Sequence, residues 1–125
     1  MIDARRRFGN SGETLAAAHL SKQGMVILGR QVRTPFGEID LVGEEAGEIV
    51  FIEVKTRRTK TYGPPEAAIT RAKFKTMCRS AEWELERLQK AGGPWRIDVV
   101  AIEWPESGDP VITHFPAIDN PSQNW

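Results

Sequence analysis

Two acidic patches set within adjacent apolar runs constrain the fold of this chain more than any other feature. The first run reads Gly-Glu-Ile-Asp-Leu-Val over residues 37–42, and the second reads Val-Phe-Ile-Glu-Val-Lys over residues 50–55. The second run is apolar without alternation, as in a buried strand, yet Glu53 and Lys55 stand at its end. Moving such charges out of water costs on the order of several kcal/mol per ion. A divalent metal bound by Asp40 and Glu53 is the compensation that this pattern favours.

Length and composition predict one cytoplasmic domain with a single core. The chain has 125 residues, of which 40% are hydrophobic and 27% charged, and this suffices for one ordinary core. No apolar stretch reaches about 18 residues, so no membrane span is expected, and the start lacks the apolar segment of a signal peptide. The single cysteine, Cys78, suits a reducing compartment. We expect residues 1–10 to form a flexible basic arm and residues 11–125 to form the domain.

The distribution of charge is more informative than the net charge, which is zero. Residues 38–53 carry six acidic side chains and no basic one, whereas residues 55–79 carry eight basic and one acidic. Residues 1–37 are also basic, with six basic and two acidic side chains. An acidic centre between two basic segments suits a metal site within a phosphate-binding surface. Chance clustering on a solvated face is the alternative.

Apolar periodicity and turn signals predict an α/β domain with a single mixed β-sheet flanked by helices. Ser11 is a suitable N-cap for a helix over residues 12–22, and Thr70 for a longer helix that ends near Gln89. Short turns join the first three strands into an antiparallel meander, and the second helix crosses over to the fourth strand. The predicted strands are residues 25–33, 38–43, 49–56, 96–104 and 111–115.

Alternation of side chains along these strands predicts where the charges point. Asp40 is expected on the face opposite Ile39 and Leu41, while Glu53 and Lys55 share one face. If the second and third strands pair, Asp40 and Glu53 converge, and two carboxylates with waters suit Mg²⁺, with Mn²⁺ as a substitute. Lys55 would then orient or activate a metal-bound water. The alternative is a cross-strand ion cluster on a solvated sheet face.

Three further acidic residues have an environment that the sequence helps to interpret. Glu13 is on the apolar face of the first helix, where it would complete the acidic site. The alternative is an acidic side chain that the helix dipole stabilises near the N-terminus of the helix. Glu38 supports the site or is a surface acid beside a turn. Asp98 lies in a buried strand and is expected to pair with a base such as Arg96, and His114 is expected to be packed.

Basic side chains around the acidic centre are candidates for binding the phosphates of a nucleic acid without reading its sequence. Lys73 is predicted in the first turn of the second helix, where a cation is slightly unfavourable, which favours a contact with substrate. For the basic side chains of the loop after the third strand, simple exposure to solvent is as good an interpretation as phosphate binding. The candidates are Arg30, Arg33, Arg57, Arg58, Lys60 and Lys73.

A set of motifs covers residues 12 to 117, nearly the whole chain. They are Gly12-Glu13-x-x-Ala16, Arg30-x-x-Arg33, Gly37-Glu38-Ile39-Asp40-Leu41-Val42, Phe51-Ile52-Glu53-Val54-Lys55-Thr56-Arg57, Gly63-Pro64-Pro65-Glu66-Ala67, Arg96-Ile97-Asp98-Val99-Val100 and His114-x-x-Ala117. This set resembles the YraN-like uncharacterised bacterial family, which often has Asn at the position of Gln31.

The spacing Asp-x(12)-Glu-x-Lys, which runs from Asp40 to Lys55 on a hairpin, resembles the PD-(D/E)xK nuclease superfamily. The predicted order of helix, three strands, helix and strand is similar to the αβββαβ core of its restriction-endonuclease-like fold. Glu13 falls where the archaeal Holliday junction resolvases of this superfamily place an acid of the first helix.

These resemblances imply a metal-dependent endonuclease that hydrolyses phosphodiester bonds in DNA, including branched or damaged structures. They assign Asp40 and Glu53 to the metal, Lys55 to the water and Glu13 to the same catalytic site. They also imply a homodimer, because two strands need two sites. A non-catalytic nucleic-acid-binding or interaction module on a nuclease scaffold is the alternative, and the choice between DNA and RNA stays open.

Overall fold

Tight turns between the first three strands produce the antiparallel meander that the sequence predicts. A computed structural model describes residues 4–58 and 69–118 of the chain. In the two-residue turn after the second strand, Ala46 has φ 51° and Gly47 has φ 81°, as two-residue hairpin turns that match the strand twist require. Within the described residues the elements are α1 (Ala4–Lys22), β1 (Val26–Thr34), β2 (Gly37–Glu45), β3 (Glu48–Arg57), α2 (Arg71–Arg87), β4 (Trp95–Glu103) and β5 (Val111–Phe115).

The five described strands form one mixed sheet in the order β1-β2-β3-β4-β5. The pairs β1–β2, β2–β3 and β4–β5 are antiparallel, whereas β3 and β4 run parallel. A parallel pair needs a crossover connection, and α2 lies within it. The predicted α/β class and the order of its αβββαβ core are therefore confirmed.

The two helices cover opposite faces of the sheet, so the protein has two apolar layers. Side chains alternate along β3: Ile52 packs against α1, and its neighbour Phe51 packs on the α2 side. The layer beneath α1 contains Ala16, Leu20, Leu41, Val50, Ile52, Val100 and Ile102. The layer beneath α2 contains Ile39, Val42, Ile49, Phe51, Ala81, Leu85 and Ile97. Neither helix in the described ranges is long and apolar enough to cross a membrane.

The start of α1 differs from the sequence prediction, whereas the start of α2 agrees with it. Helix α1 begins at Ala4 rather than at residue 12, so Ser11 is not its N-cap and residues 4–10 of the predicted arm are helical. Extending a helix that already exists is cheaper than nucleating one, because each added residue gains a hydrogen bond. In α2 the side chain of Thr70 accepts a hydrogen bond from the backbone N of Lys73 at 3.1 Å, which confirms the predicted N-cap.

Helix α1 approaches β3 closely at Gly12, where a side chain would not fit. A Cβ atom on Gly12 would overlap the Cγ2 methyl of Thr56. Because Gly12 precedes Glu13, this close approach also sets how near the carboxyl group of Glu13 lies to the end of β3.

We predict that Gly12→Ala destabilises the protein by about 1–3 kcal/mol, because the overlap with Thr56 outweighs the roughly 1 kcal/mol of helix propensity that alanine gains. Urea unfolding measures this change. In a Thr56→Ser background, which lacks the methyl group, the same substitution should cost much less. Equal losses in both backgrounds would show that the methyl contact is not the cause.

Candidate active site

The pairing of β2 with β3 ends beside Asp40. The last paired residues are Leu41 and Ile52, and beyond them the Oδ2 atom of Asp40 accepts a hydrogen bond from the backbone N of Val54 at 2.8 Å. A side chain thus continues the hydrogen bonding where the two backbones separate. This bond holds the Asp40 carboxylate against β3, next to Glu53, so the predicted convergence is supported by the strand geometry.

On its other side Asp40 faces an irregular position of β1. Arg30 pairs with Leu41 and Val32 pairs with Ile39, which places Gln31 opposite Asp40. Gln31 has φ 49°, a left-handed conformation that costs a non-glycine residue roughly 1 kcal/mol or more. Strain of this kind is often found at functional sites.

Gln31 is a site residue that the sequence reasoning did not assign. Its side chain forms a hydrogen bond with the carboxylate of Glu13. The one sequence signal is the resemblance itself, because asparagine, which is frequent at this position in the similar family, adopts the left-handed conformation more readily than most residues.

The prediction that Ile39 and Leu41 share a face of the sheet is wrong. Ile39 packs in the layer beneath α2, whereas Leu41 packs in the layer beneath α1. β2 therefore rotates about its own axis at Asp40. The interruption of the alternation lies opposite the left-handed Gln31, because β2 stays paired with β1 on both sides of Asp40.

Glu53 is buried but lies beside two lysines. Its side chain is only about one-tenth exposed, and its Oε1 atom is 3.4 Å from the Nζ of Lys55 and 3.9 Å from the Nζ of Lys73. Lys55 comes from the same strand, as predicted, and Lys73 comes from the first turn of α2. Both lysines are partly exposed, so their ammonium groups lie between the buried carboxylate and solvent.

Glu13 contributes a third carboxylate from the opposite helix. The residue is 8% exposed, and its Oε1 atom is buried with no hydrogen-bond partner among the described residues. Burial raises the pKa of Glu13, while the nearby Arg30 and the hydrogen bond from Gln31 partly offset this, and repulsion from Glu53 adds to it. The helices pack on opposite faces, yet Glu13 of α1 and Lys73 of α2 both act electrostatically on Asp40.

The Asp40 carboxyl group has the most altered acidity at this site. Burial and the neighbouring charge of Glu53 raise its pKa to about 7, although the hydrogen bond from the Val54 backbone and the charge of Lys73 act in the opposite direction. A carboxyl group in this environment gains stability from a proton or from a cation. Perturbed groups of this kind are typical of functional sites.

These residues fit a hard divalent cation that keeps several waters. Within residues 4–58 and 69–118 no group of three or more His, Cys, Asp or Glu side chains is arranged to hold a metal. Mg²⁺ commonly binds one or two carboxylates and completes its octahedron with water and substrate oxygens. Asp40 and Glu53 supply such a pair, and the unpartnered oxygen of Glu13 is an acceptor for a water.

The structure places the predicted phosphate-binding residues at different distances from the carboxylates. Arg30 donates a hydrogen bond from its Nη2 atom to Thr14 Oγ1 at 3.0 Å and interacts electrostatically with Glu13. The exposed Arg33 lies 3.8 Å from Glu38, between Nε and Oε2. Of the remaining candidates, Lys73 is next to Glu53. Arg57 and Arg58 follow Lys55 at the end of β3, and Lys60 lies outside the described residues.

A separate charged cluster centres on Asp98 in β4 and has a structural character. The carboxylate of Asp98 is fully buried and accepts hydrogen bonds from Arg96 Nε at 3.0 Å and from the backbone N of Ala117 at 2.8 Å. His114 Nε2 lies 2.7 Å from its Oδ2 atom. Burial raises the pKa of Asp98, but the bonds to His114, Arg96 and Ala117 together outweigh this and hold it below its usual value. The predicted pairing with Arg96 is confirmed.

Comparison with known proteins identifies relatives along most of the chain. The sequence model of the uncharacterised protein family UPF0102 matches residues 12–102. A UPF0102 protein of Symbiobacterium thermophilum is 46% identical over 98 residues, which cover 78% of this chain and 83% of the relative. A UPF0102 protein of Syntrophotalea carbinolica is 41% identical over 122 residues, covering 93% and 94%. These matches confirm the resemblance to an uncharacterised bacterial family.

We predict that Asp40→Asn stabilises the metal-free protein at pH 8. The raised pKa means that the folded state retains a proton between about pH 4 and 7 that the unfolded chain has lost, so stability falls as pH rises through this window. Asparagine avoids that cost and can still accept the bond from Val54. Urea unfolding in EDTA should show a gain of about 2–4 kcal/mol at pH 8 that shrinks toward pH 4.

Asp109→Asn, at an exposed position, is the matched control and should leave the pH profile unchanged. A less stable Asp40→Asn protein at pH 8 would show that the contacts of the ionised carboxylate outweigh its burial.

Proposed function

The chain belongs to the uncharacterised protein family UPF0102, and we propose that it is a metal-dependent endonuclease that hydrolyses phosphodiester bonds in DNA. The observation that carries this proposal is the convergence of Asp40, Glu53 and Lys55 where β2 and β3 separate, with Glu13 reaching the same place from α1. The likeness of this constellation to the PD-(D/E)xK pattern supports the assignment to phosphodiester hydrolysis.

Asp40 and Glu53 would hold Mg²⁺, or Mn²⁺ in its place, between β2 and β3. When bound, such an ion supplies a Lewis acid for a phosphoryl oxygen and lowers the pKa of a water. Lys55, whose Nζ is 3.4 Å from Glu53, would position the attacking water or contact the scissile phosphate. Glu13, with one unpartnered oxygen among the described residues, would accept a hydrogen bond from a water at the site.

The surrounding cations would hold the substrate backbone. Lys73 lies at the N-terminal end of α2, next to Glu53, and Arg33 is exposed at the end of β1. The partial positive charge of a helix N-terminus also favours phosphate. These groups contact phosphate oxygens rather than base edges, so we expect recognition of shape and charge rather than of sequence.

A non-catalytic nucleic-acid-binding or interaction module is the second candidate. The observation that favours it is the pair of lysines beside Glu53, which partly neutralises that carboxylate without a metal. The homodimer expected from the nuclease resemblance stays a prediction. Two exposed apolar side chains on the edge strand β1, Val26 and Leu28, offer one surface for it.

Cleavage of a substrate panel tests the nuclease proposal. Labelled linear duplex, single strand, flap, four-way junction and RNA are incubated with Mg²⁺, Mn²⁺ or EDTA. We predict metal-dependent cutting that falls at least about 100-fold in Asp40→Asn and in Lys55→Ala, since each removes a group required for chemistry. Lys90→Ala, at an exposed lysine beyond α2, is the matched control and should cut normally.

A thermal shift with metal alone separates metal binding from catalysis. Mg²⁺ should raise the melting temperature of the wild type but not that of Asp40→Asn, because a ligand stabilises only the state that binds it. Binding of a nucleic acid without cutting in any metal would favour the non-catalytic module. Cutting that persists in Asp40→Asn would place the chemistry elsewhere.

A further inference from the structure

The turn between β1 and β2 carries an exposed aromatic ring on a hydrogen-bonded backbone. Phe36 is 46% exposed. Its backbone N donates to Thr34 Oγ1 at 3.1 Å, and the same hydroxyl donates to the carbonyl of Gly37 at 2.7 Å. Thr34 also shares a hydrogen bond of 3.0 Å with Ser80 of α2. The turn that carries the exposed ring is thus hydrogen-bonded to the second helix. Apolar surface that remains in water does not contribute to the stability of the fold.

Phe36 stands between two cavities of different character. On one side is a small cavity of about 110 Å³ that includes Glu53 and Lys73 of the candidate active site. On the other side is an open groove of about 660 Å³ along α2, which the aromatic side chains of Trp83 and Trp95 also line. The size of the groove is within the range of small-molecule sites.

We propose that this groove binds an unpaired nucleobase of the substrate, stacked on Phe36, while the adjoining phosphate lies at the carboxylates. This inference rests on the proposed function and extends it to a substrate class, namely nucleic acid with unpaired nucleotides beside the cleaved bond. Aromatic side chains accept any base by stacking. A base inside a regular duplex cannot reach such a ring, since it must first leave its stack.

The charged side chains along α2 suit this orientation of the nucleic-acid strand. Lys73 lines the small cavity and Arg79 lines the groove, and their separation of six residues corresponds to roughly 9 Å along the helix. Successive phosphates passing over Phe36 would therefore meet a cation on each side. Glu82 and Glu86 also line the groove; they repel phosphate and can accept hydrogen bonds from the N–H groups of a base.

Binding without cleavage tests this inference separately from the chemistry. Fluorescence anisotropy in EDTA compares a fully paired duplex with the same duplex carrying one unpaired thymine. For the wild type we expect tighter binding of the bulged probe. Phe36→Ala should weaken the bulged probe about tenfold or more and leave the paired duplex nearly unchanged, since stacking of one base contributes about 1–3 kcal/mol.

Matched variants separate stacking from apolar contact. Phe36→Tyr should retain the preference because it keeps the ring, whereas Phe36→Leu should lose it. Val111→Ala removes an apolar side chain of similar exposure, 53%, from the opposite edge strand and should behave as wild type. Unfolding curves verify that each variant is folded.

An unpaired 5-iodouracil in the same probe identifies the contact directly. On irradiation it should crosslink to the peptide that contains Phe36 or Trp83. The inference is overturned by crosslinking to another peptide, or by a Phe36→Leu protein that keeps the preference for the bulged probe. It is also overturned if Phe36→Ala weakens the binding of both probes equally or changes the oligomeric state. If the wild type cuts paired duplex and shows no preference, the inference fails and the nuclease proposal stands; if it neither binds nor cuts any substrate with or without metal, both fail.

Discussion

The hydrogen bond from the Val54 backbone to the Asp40 carboxylate is the interaction on which the candidate site depends. It replaces the ladder pairing that ends at Leu41 and Ile52. Without it the two strands would separate with an unpaired N–H group and an unpaired carboxylate, and a buried polar group without a partner is costly. With it, the opening between β2 and β3 becomes a defined place where charges from both faces of the sheet meet.

Two buried acidic clusters in the same sheet have contrasting electrostatics. At Asp98, bonds from Arg96, His114 and a backbone N–H stabilise the ionised carboxylate, and its pKa is lowered. At Asp40 the burial and the nearby Glu53 dominate, and the pKa is raised to about 7. The two carboxylates therefore differ in which effect prevails: the contacts of the ionised form at Asp98, and burial with like charge at Asp40.

The elements with a strong local signal were predicted well. The strand β5 has the predicted bounds, and Thr70 caps α2 through its side chain as expected. The start of α1 was placed too late, because a residue that can cap a helix, such as Ser11, can also lie inside one, and extending an existing helix needs no new nucleus. Ile39 was assigned to the wrong face, because the alternation of side chains is interrupted at Asp40, opposite the left-handed Gln31.

The sequence by itself determined the paired strands, the spacing of Asp40 and Glu53, and the neighbourhood of Lys55, because these follow from periodicity within an element and from short turns. Only the tertiary structure decided the left-handed conformation of Gln31, the burial of Glu13 with an unpartnered oxygen among the described residues, and the exposed ring of the β1–β2 turn. Those features arise where strands diverge and where helices pack against segments distant in sequence. Such contacts produce no periodic pattern in the sequence, so they could not be predicted from it.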